Sequence, residues 1–408
     1  MRILLSNNFY YPNMLGGAEM SALTLAEMLT ERGHEVRMLC LSGTEKTDRL
    51  VHNGVEVIAM GRKLMGTGPT AEARSGVGRL AWHLSAGQDF GWQKELQAVI
   101  SEKPVDIVNS FNLAGTTTQL WSAVKALDLP LVHTLFGTYL VCFRGPMFRN
   151  GRDCGTQCTG CAVMTRKRRH DSRLVDAVVG DSDAVLQRHL QHGYFPAARE
   201  RTVINCGFRN AEIAGQPETG RPEGPLRIGF LGRLHPTKGL DVLLEACQSL
   251  PGSDWQLKIG GSGSPAQEER LRTLGDPRIF FLGWQDTRTF LSEVDVMVVP
   301  SIWNDPLPRV VFESFCAGVL VAGSRIGGIP EMIEHGRTGY LFEPGDAAGL
   351  NGILSGLIAA PETTAAMRHA CLERAHHFKA DRFVDDYEAF YERTLSAHGL
   401  GAGAAVVS

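Results

Sequence analysis

The chain has 408 residues, and its composition excludes several classes of protein. Hydrophobic residues make up 43% and charged residues 21%, which is ordinary for a soluble enzyme of two or three domains. The net charge of −3 gives no general attraction to nucleic acid, so no such partner is expected. No apolar run reaches the roughly 18 to 20 residues that span a bilayer, and the N-terminal run is too short for a signal peptide. A cytoplasmic location is therefore expected.

Short apolar strands alternate with amphipathic helices along the chain, which is typical of α/β proteins with parallel sheets. In the first half, a helix is predicted at about 18–32, ending at Gly33, and strands are predicted at 2–7, 35–41, 55–60, 105–111, 130–135, 176–182 and 202–207. In the second half, Ser264 and Gln267 predict a helix capping box, and strands are predicted at 226–232, 255–260, 278–283, 294–301, 319–324 and 339–342.

Two domains are predicted from this pattern. The segment 211–225 has three prolines, three glycines and little apolar content, so it is predicted to be a linker. It separates an N-terminal domain at 1–210 from a C-terminal domain at 226–377. Open parallel sheets bind ligands at the carboxyl ends of their strands, so two such sheets would face a cleft between the domains. The tail at 396–408 is expected to be flexible.

Two glycine loops are candidate phosphate sites because each leads into a helix N-terminus, which carries free N–H groups and partial positive charge. The first contains Gly16 and Gly17. The second contains Gly232 and Arg233, followed by Lys238 at the next helix start. Either loop alone is equally compatible with a simple chain turn and solvated cations.

A pair of acids follows the strand at 294–301. Asp305 lies in the loop and Glu313 lies eight residues later, a little over two helical turns. A carboxylate accepts hydrogen bonds from two neighbouring hydroxyls, which suits the diol of a ribose or a sugar ring. The alternative, a solvated Glu313, is weaker because that residue is surrounded in sequence by valine and phenylalanine.

Together these features resemble the large family of retaining GT-B glycosyltransferases, family 4, also called glycosyl transferases group 1. The ordered set consists of the Gly-Gly-Ala-Glu loop at 16–19, the Gly-Arg and Lys-Gly pairs, the acid-x7-acid motif, and Gly-Gly-Ile-Pro-Glu at 327–331. The resemblance covers nearly the whole chain. It implies an α/β fold of the GT-B type, with two Rossmann-like parallel-sheet domains facing an interdomain cleft. It also implies that the final helix, at 378–395, returns to the acceptor-side N-terminal domain.

The resemblance implies a hexosyltransferase that uses a nucleotide-diphosphate sugar. The acceptor would be a hydroxyl of a saccharide or lipid-linked saccharide in polysaccharide or glycoconjugate assembly. Arg233 and Lys238 would clamp the donor diphosphate, and Asp305 would contact the transferred sugar. These three are the catalytic candidates, and Glu313 would bind the ribose. The departing diphosphate gains negative charge, which the two cations and the helix N-termini would stabilise. No Asp-x-Asp lies in a loop suited to a metal–phosphate bridge, so no cofactor is expected for catalysis.

Further donor-binding residues also follow from the resemblance. Gly16 and Gly17 would close on the phosphates, and the sugar site would be lined by the backbone around Leu307, Pro308, Arg309 and Val310. The sequence departs from the family pattern in two places. Phe136 stands where a histidine often ends the fifth strand, and Pro308 stands where many members have glycine. Strand alternation places His133 on the face opposite Phe136, so His133 is interpreted as a core or acceptor-side residue.

Two local features are not part of the transferase motifs. Structural zinc, a redox disulfide and plain thiols are all compatible with the cluster of Cys142, Cys154, Cys158 and Cys161. The basic run at 166–170 fits an anionic membrane surface or a lipid-diphosphate acceptor, and a solvated charge run equally well. A membrane contact would place the protein at the inner face of the membrane.

Parts of the sequence are also compatible with three other functions. The glycines at 261 and 263 imitate a dinucleotide-binding fingerprint, but no acid ends a following strand, which disfavours a dehydrogenase. A GT-B nucleotide-sugar epimerase would need further acids in the cleft. A catalytically weak subunit that only binds sugar nucleotides is favoured by Phe136 alone.

Overall fold

The computed structural model describes residues 1–13, 16–61, 91–113, 115–209 and 224–399, and it divides into two compact units. The first unit comprises Met1–Met147, Thr156–Phe208 and Ala380–Ser408, and the second comprises Phe148–Gly155 and Arg209–Lys379. Most of the predicted linker, and the tail from 400 onward, lie outside the described residues.

The first unit is built on an eight-stranded sheet. Its strands are β1 Arg2–Ser6, β2 Glu35–Leu41, β3 Asp48–His52, β4 Val55–Met60, β5 Ile107–Ser110, β6 Leu131–Leu135, β9 Ala177–Gly180 and β10 Glu200–Val203. The spatial order is β10-β9-β6-β5-β1-β2-β4-β3, and all neighbours are parallel except β3 and β4. The central strands are buried along their length, which explains their continuous apolar sequences.

Helices cover this sheet. In chain order they are α1 Gly17–Glu31, α2 Trp92–Ser101, α3 Gln119–Ala126, α4 Thr159–Met164, α5 Arg166–Asp171, α6 Asp183–Leu190 and, at the end of the chain, α14 Ala380–Ala397. Helix α14 packs against α1, and its Tyr387 and Tyr391 are fully buried in the core of this unit. Their hydroxyls lie 3.0 Å from Thr134 Oγ1 and 2.8 Å from Asn109 Nδ2, so the terminal helix is fixed to β5 and β6. The helix continues two residues into the segment predicted as a flexible tail.

The second unit contains a six-stranded sheet in which every neighbouring pair is parallel. The strands are β11 Leu226–Leu231, β12 Trp255–Gly260, β13 Ile279–Gly283, β14 Val296–Val299, β15 Leu320–Ser324 and β16 Gly339–Phe342, in the order β13-β12-β11-β14-β15-β16. Its helices are α7 Leu240–Gln248, α8 Pro265–Arg272, α9 Thr287–Ser292, α10 Arg309–Cys316, α11 Ile329–Met332, α12 Ala347–Ala359 and α13 Glu362–Ala375. The predicted capping box at Ser264 and Gln267 is confirmed. The α/β class with two parallel-sheet domains is also confirmed.

Two hairpins were not predicted. Strand β3 pairs antiparallel with β4 through the turn Asn53-Gly54, where both residues have positive φ. The short strands β7 Phe148–Arg149 and β8 Arg152–Asp153 form a separate two-stranded ribbon. The strands β3, β7 and β8 are short and mostly exposed, so they lack the continuous apolar pattern that identified the central strands. Among the described residues, no helix is long and apolar enough to cross a membrane.

Candidate active site

Lys238 lies at the end of a short 3₁₀ turn, Pro236–Lys238, at the carboxyl end of the second sheet. Gly239 follows with φ 69°, and a Cβ there would lie 1.8 Å from the carbonyl oxygen of Pro300. Only glycine therefore allows the turn to approach the end of β14 so closely. The Ile302 N–H donates to Thr237 O at 2.9 Å, which fixes the same contact from the other side.

Asp305 is the charged partner of this lysine. Its Oδ2 accepts from Lys238 Nζ at 2.6 Å and from Ser301 Oγ at 3.0 Å, and its side chain is 6% exposed. A Cβ on Gly327 would lie 2.1 Å from Asp305 O, and the Gly328 N–H donates to that oxygen at 2.9 Å. The first two glycines of the Gly-Gly-Ile-Pro-Glu motif therefore pack directly on the backbone of this acid.

Unused hydrogen-bonding atoms remain around the Lys238–Asp305 pair. Within the described part of the chain, Asp305 Oδ1 has no hydrogen-bond partner, although Oδ2 has two. Lys238 Nζ lies 5.8 Å from the centre of the Trp303 ring, and the buried Trp303 Nε1 has no partner among the described residues. A ligand hydroxyl could donate to the unused carboxylate oxygen, and a phosphate oxygen could accept from the lysine.

Arg233 follows β11 directly and is exposed. In the residues that the structure describes, its guanidinium forms no hydrogen bond or ion pair. An arginine that is not engaged with a protein carboxylate keeps its five N–H donors for an anion. The structure does not bring Arg233 into contact with Asp305 or Glu313.

Glu313 lies in α10, whose inner face contains the buried residues Val311, Phe312 and Phe315. Its Oε1 accepts from the Arg309 guanidinium at 3.2 Å, and its side chain is 21% exposed. Pro308 precedes the helix, which begins without a side-chain cap. Glu313 is thus a half-buried, paired carboxylate at the accessible side of its helix.

Gly16 and Gly17 belong to the first unit, where Gly16 is the N-cap of α1 and Gly17 its first residue. Glu19 is 6% exposed, and burial raises the pKa of its carboxyl, although hydrogen bonds from the backbone N–H groups of Glu19 and Gly16 oppose the rise. This is one half of a capping box, with the acid reaching back to the N-cap. The predicted phosphate loop therefore already contains a carboxyl group of its own.

His133 and Phe136 lie on opposite sides of the end of β6, as alternation predicts. His133 Nδ1 lies 2.9 Å from Ser110 Oγ, and complete burial lowers the pKa of the ring to about 3. It packs against Trp121 and Phe195, so it is a neutral core histidine. Phe136 is half-buried and stacks on Phe111.

The cysteine cluster does not assemble a metal site in the described chain. Cys142 and Cys161 are buried with sulfurs 3.7 Å apart, and the Cys158 side chain contacts Cys161. Burial raises the pKa of the Cys161 thiol to about 12. No group of three or more metal-ligating side chains is gathered among the described residues. Structural zinc at Cys142, Cys154, Cys158 and Cys161 therefore stays a prediction.

Several residues beside the acids were not identified from the sequence. Ser301 and Trp303 contact the Lys238–Asp305 pair, and Gly239 and Gly327 allow the backbones around it to touch. No separate role was assigned to Gly239 and Gly327, although they belong to the Lys-Gly and Gly-Gly-Ile-Pro-Glu motifs that the sequence had already singled out. Ser301 and Trp303 gave no sequence signal, because a serine and a tryptophan after a strand are common.

Two family profiles match the chain in succession. The profile described as Glycosyl transferase 4-like domain matches residues 16–206, and the one described as Glycosyl transferases group 1 matches residues 225–360. The chain belongs to the group 1 glycosyltransferases. It is therefore a GT-B glycosyltransferase that acts on saccharides, and the predicted family and enzyme class are confirmed.

Relatives of this glycosyltransferase cover most of its length. A glycogen synthase of Mycobacterium tuberculosis is 28% identical over 398 residues, covering 91% of this chain and 88% of that protein. An uncharacterized 42.6 kDa protein in the cps region of Klebsiella pneumoniae is 28% identical over 333 residues, covering 81% and 87%. The lipopolysaccharide core biosynthesis glycosyltransferase LpsE of Rhizobium meliloti is 32% identical over 215 residues, covering 52% and 61%.

Solved structures share the fold at low sequence identity. Sucrose-phosphate synthase from Thermosynechococcus elongatus superposes with a TM-score of 0.73 at 18% identity, covering 97% of this chain and 99% of that one. Anabaena HepE in complex with UDP superposes with a TM-score of 0.67 at 18% identity, covering 97% and 100%. At this level of identity the likeness concerns the fold alone.

Proposed function

We propose that this glycosyltransferase moves a hexose from a nucleotide-diphosphate sugar, with retention of configuration, to a hydroxyl of a saccharide or lipid-linked saccharide. The observation that carries the proposal is the Lys238–Asp305 pair with its unused carboxylate oxygen, at the end of the sheet that also presents Arg233. Open parallel sheets bind their ligands at this edge. Anabaena HepE, solved with UDP and with UDP-glucose, supports a nucleotide-sugar donor.

Each residue has a proposed part in the transfer. Arg233 and Lys238 hold the diphosphate and stabilise the negative charge that grows on it as the glycosidic bond breaks. Asp305 keeps Lys238 in place through Oδ2 and accepts a sugar hydroxyl through Oδ1. Glu313 accepts the ribose hydroxyls, with Arg309 orienting its carboxylate. The backbone from Leu307 to Val310 lines the sugar site, and the loop of Gly16 and Gly17 closes on the phosphates.

The acceptor is proposed to be part of polysaccharide or glycoconjugate assembly, as the name of the relative LpsE, a lipopolysaccharide core biosynthesis glycosyltransferase, suggests. Helix α5 supports a contact with an anionic membrane surface or lipid diphosphate, because Arg166, Lys167, Arg169 and His170 are exposed on it. Sedimentation with anionic and neutral vesicles checks this part: binding to the anionic vesicles alone is expected, and binding to neither would contradict it.

The experiment that tests the proposal is incubation of the protein with a panel of nucleotide sugars, with and without saccharide acceptors. Release of nucleoside diphosphate, increased by an acceptor, is expected, and NMR of the product gives its anomeric configuration. Inverted configuration would contradict the retaining mechanism. Inversion at C2 of the donor without nucleotide release would indicate an epimerase, and binding without turnover would indicate a binding subunit.

A further inference from the structure

A small cavity opens at the carboxyl ends of β5 and β6 in the first unit. Its volume is about 100 Å³, and its apolar lining comes from Ala18, Phe111, Leu113, Phe136, Tyr139 and Leu140. An apolar cavity of about 150 Å³ holds one benzene molecule. The space therefore suits one apolar edge of a sugar and is too small for a whole hexose ring with its hydroxyls.

Two phenylalanine rings form the floor of this cavity. The centres of the Phe111 and Phe136 rings are 5.5 Å apart, with 9° between their planes. Phe111 is 2% exposed and buried in the core, whereas Phe136 is half-buried at the cavity. Stacking on a buried ring fixes the position of Phe136, so a ligand meets an ordered apolar surface.

The polar side chains in the lining are already engaged. Thr134 Oγ1 donates to Asn109 Oδ1 at 3.1 Å, and the Tyr139 hydroxyl accepts from Arg168 at 3.0 Å. His133 is bonded to Ser110, and Asn112 also takes part in an interaction. A hydroxyl that entered the cavity would lose its bonds to water, and the polar side chains there would have to share or give up partners that they already hold.

We propose that this cavity receives the C6 methyl group of a 6-deoxyhexose, and that the enzyme selects such a sugar over the corresponding hexose. This inference rests on the proposed function, because it names the class of sugar that the same enzyme would handle. The sugar belongs either to the donor or to the acceptor. Apolar pockets discriminate against an added hydroxyl by roughly tenfold to a hundredfold, which sets the expected preference.

Paired ligands that differ only at C6 provide the test. In the donor arm, calorimetry compares GDP-L-fucose with GDP-L-galactose, and dTDP-6-deoxy-D-glucose with dTDP-D-glucose. In the acceptor arm, saturation-transfer NMR compares methyl L-fucoside with methyl L-galactoside, and methyl L-rhamnoside with methyl L-mannoside, each pair with the same anomeric configuration. In one arm, the 6-deoxy member should bind about tenfold more tightly or better. Equal affinity within every pair, or tighter binding of the 6-hydroxy member, would overturn the proposal.

Variants at Phe136 identify the cavity as the cause of the preference. Phe136→His places a hydrogen-bonding ring at the floor and should abolish the preference, whereas Phe136→Leu keeps the surface apolar and should retain most of it. Phe280→His, at an exposed phenylalanine of the other unit, is the matched control and should change nothing. A preference that persists in Phe136→His would overturn the proposal.

The outcome is separable from the proposed function. If nucleotide sugars are bound and turned over with no preference at C6, the function holds and the cavity inference fails. If no nucleotide sugar is bound, the proposed function fails, and the acceptor arm still tests the cavity directly.

Discussion

In the second unit, the strands β11 and β14 end beside charged side chains, whereas in the first unit the strands β5 and β6 end beside aromatic rings. Lys238 and Asp305 form an ion pair at one edge, and Phe111 and Phe136 stack at the other. Both edges are the ligand-binding ends of parallel sheets. One architecture, used twice in the chain, therefore places an ion pair at this edge in one unit and stacked rings in the other, and we expect the two edges to bind different chemical groups.

The largest expected effect is on turnover, at the charged edge of the second sheet, which carries Arg233, Lys238 and Asp305. Arg233→Ala and Lys238→Ala should each lower turnover on the order of 10²-fold or more, because each removes a donor from a developing anion. Their effects on stability should differ. Arg233 is exposed and has no partner in the described chain, whereas Lys238→Ala leaves the buried Asp305 carboxylate unpaired.

Steady-state kinetics and thermal unfolding of both variants check this prediction. Arg270→Ala is the matched control, because Arg270 is a surface arginine of the same unit, with a 62% exposed side chain. Near-native turnover in both variants would contradict the proposal that Arg233 and Lys238 stabilise the departing diphosphate.

The next effect concerns the two acids of the charged edge. Glu313→Gln should weaken both the nucleoside diphosphate product and the donor about tenfold or more, because an amide cannot accept from both ribose hydroxyls. Asp305→Asn should lower turnover and weaken the product less than Glu313→Gln does, because the amide oxygen can still accept from Lys238 and the product lacks the sugar that Asp305 is proposed to contact.

Calorimetry on both variants decides between these roles, with Glu343→Gln as an exposed control in the same unit. If Asp305→Asn weakens the free product as much as Glu313→Gln does, the roles of the two acids have been assigned wrongly.

A smaller effect, on stability, is expected from a substitution at Glu19 in the first unit. The folded-state pKa of Glu19 is raised above its ordinary value of 4.5, so its ionisation costs stability once the pH exceeds that value. Glu19→Gln keeps a hydrogen-bond acceptor for the N-cap and removes this cost. The variant should therefore unfold at a higher temperature than wild type at pH 7.

The advantage of Glu19→Gln should shrink as the pH falls through the raised pKa and below 4.5, where the wild-type carboxyl becomes protonated in both states. Glu31→Gln, at an exposed position of the same helix, should show no such trend. An advantage that grows on acidification would contradict the stated cause.

The least effect on turnover is expected from the cysteine cluster. If the four cysteines bind zinc, the purified protein should contain about one metal per chain, and a chelator should first loosen residues 140–165, as hydrogen exchange would show. Metal analysis that finds none, with four titratable thiols, would leave the 3.7 Å contact of Cys142 and Cys161 as a thiol pair.

The sequence predicted the features of the fold that depend on local residue patterns. The central strands, the helix that ends before Gly33 and the Ser264 capping box follow from periodicity and from short-range hydrogen bonding. The antiparallel strand β3 was missed because it is a short, mostly exposed edge strand with only two apolar residues. Its Asn53-Gly54 turn, which has the left-handed φ values of a tight hairpin, was the available signal.

The sequence could not predict which distant side chains meet. Lys238 and Asp305 are 67 residues apart, and each had been assigned separately, one to phosphate and one to sugar. The stacking of Phe111 on Phe136 depends on β5 and β6 being neighbours in the sheet. Such contacts follow from topology, which strand patterns alone leave open.

The most direct test of the account is calorimetric titration of nucleoside diphosphates into wild type, Arg233→Ala and Phe136→Leu. Diphosphate recognition is proposed for the edge of the second sheet that carries Arg233 and Lys238, and not for the edge of the first sheet that carries Phe136. Arg233→Ala should therefore weaken binding about tenfold or more, and Phe136→Leu should leave it unchanged. Unchanged affinity in Arg233→Ala together with weakened affinity in Phe136→Leu would contradict the account.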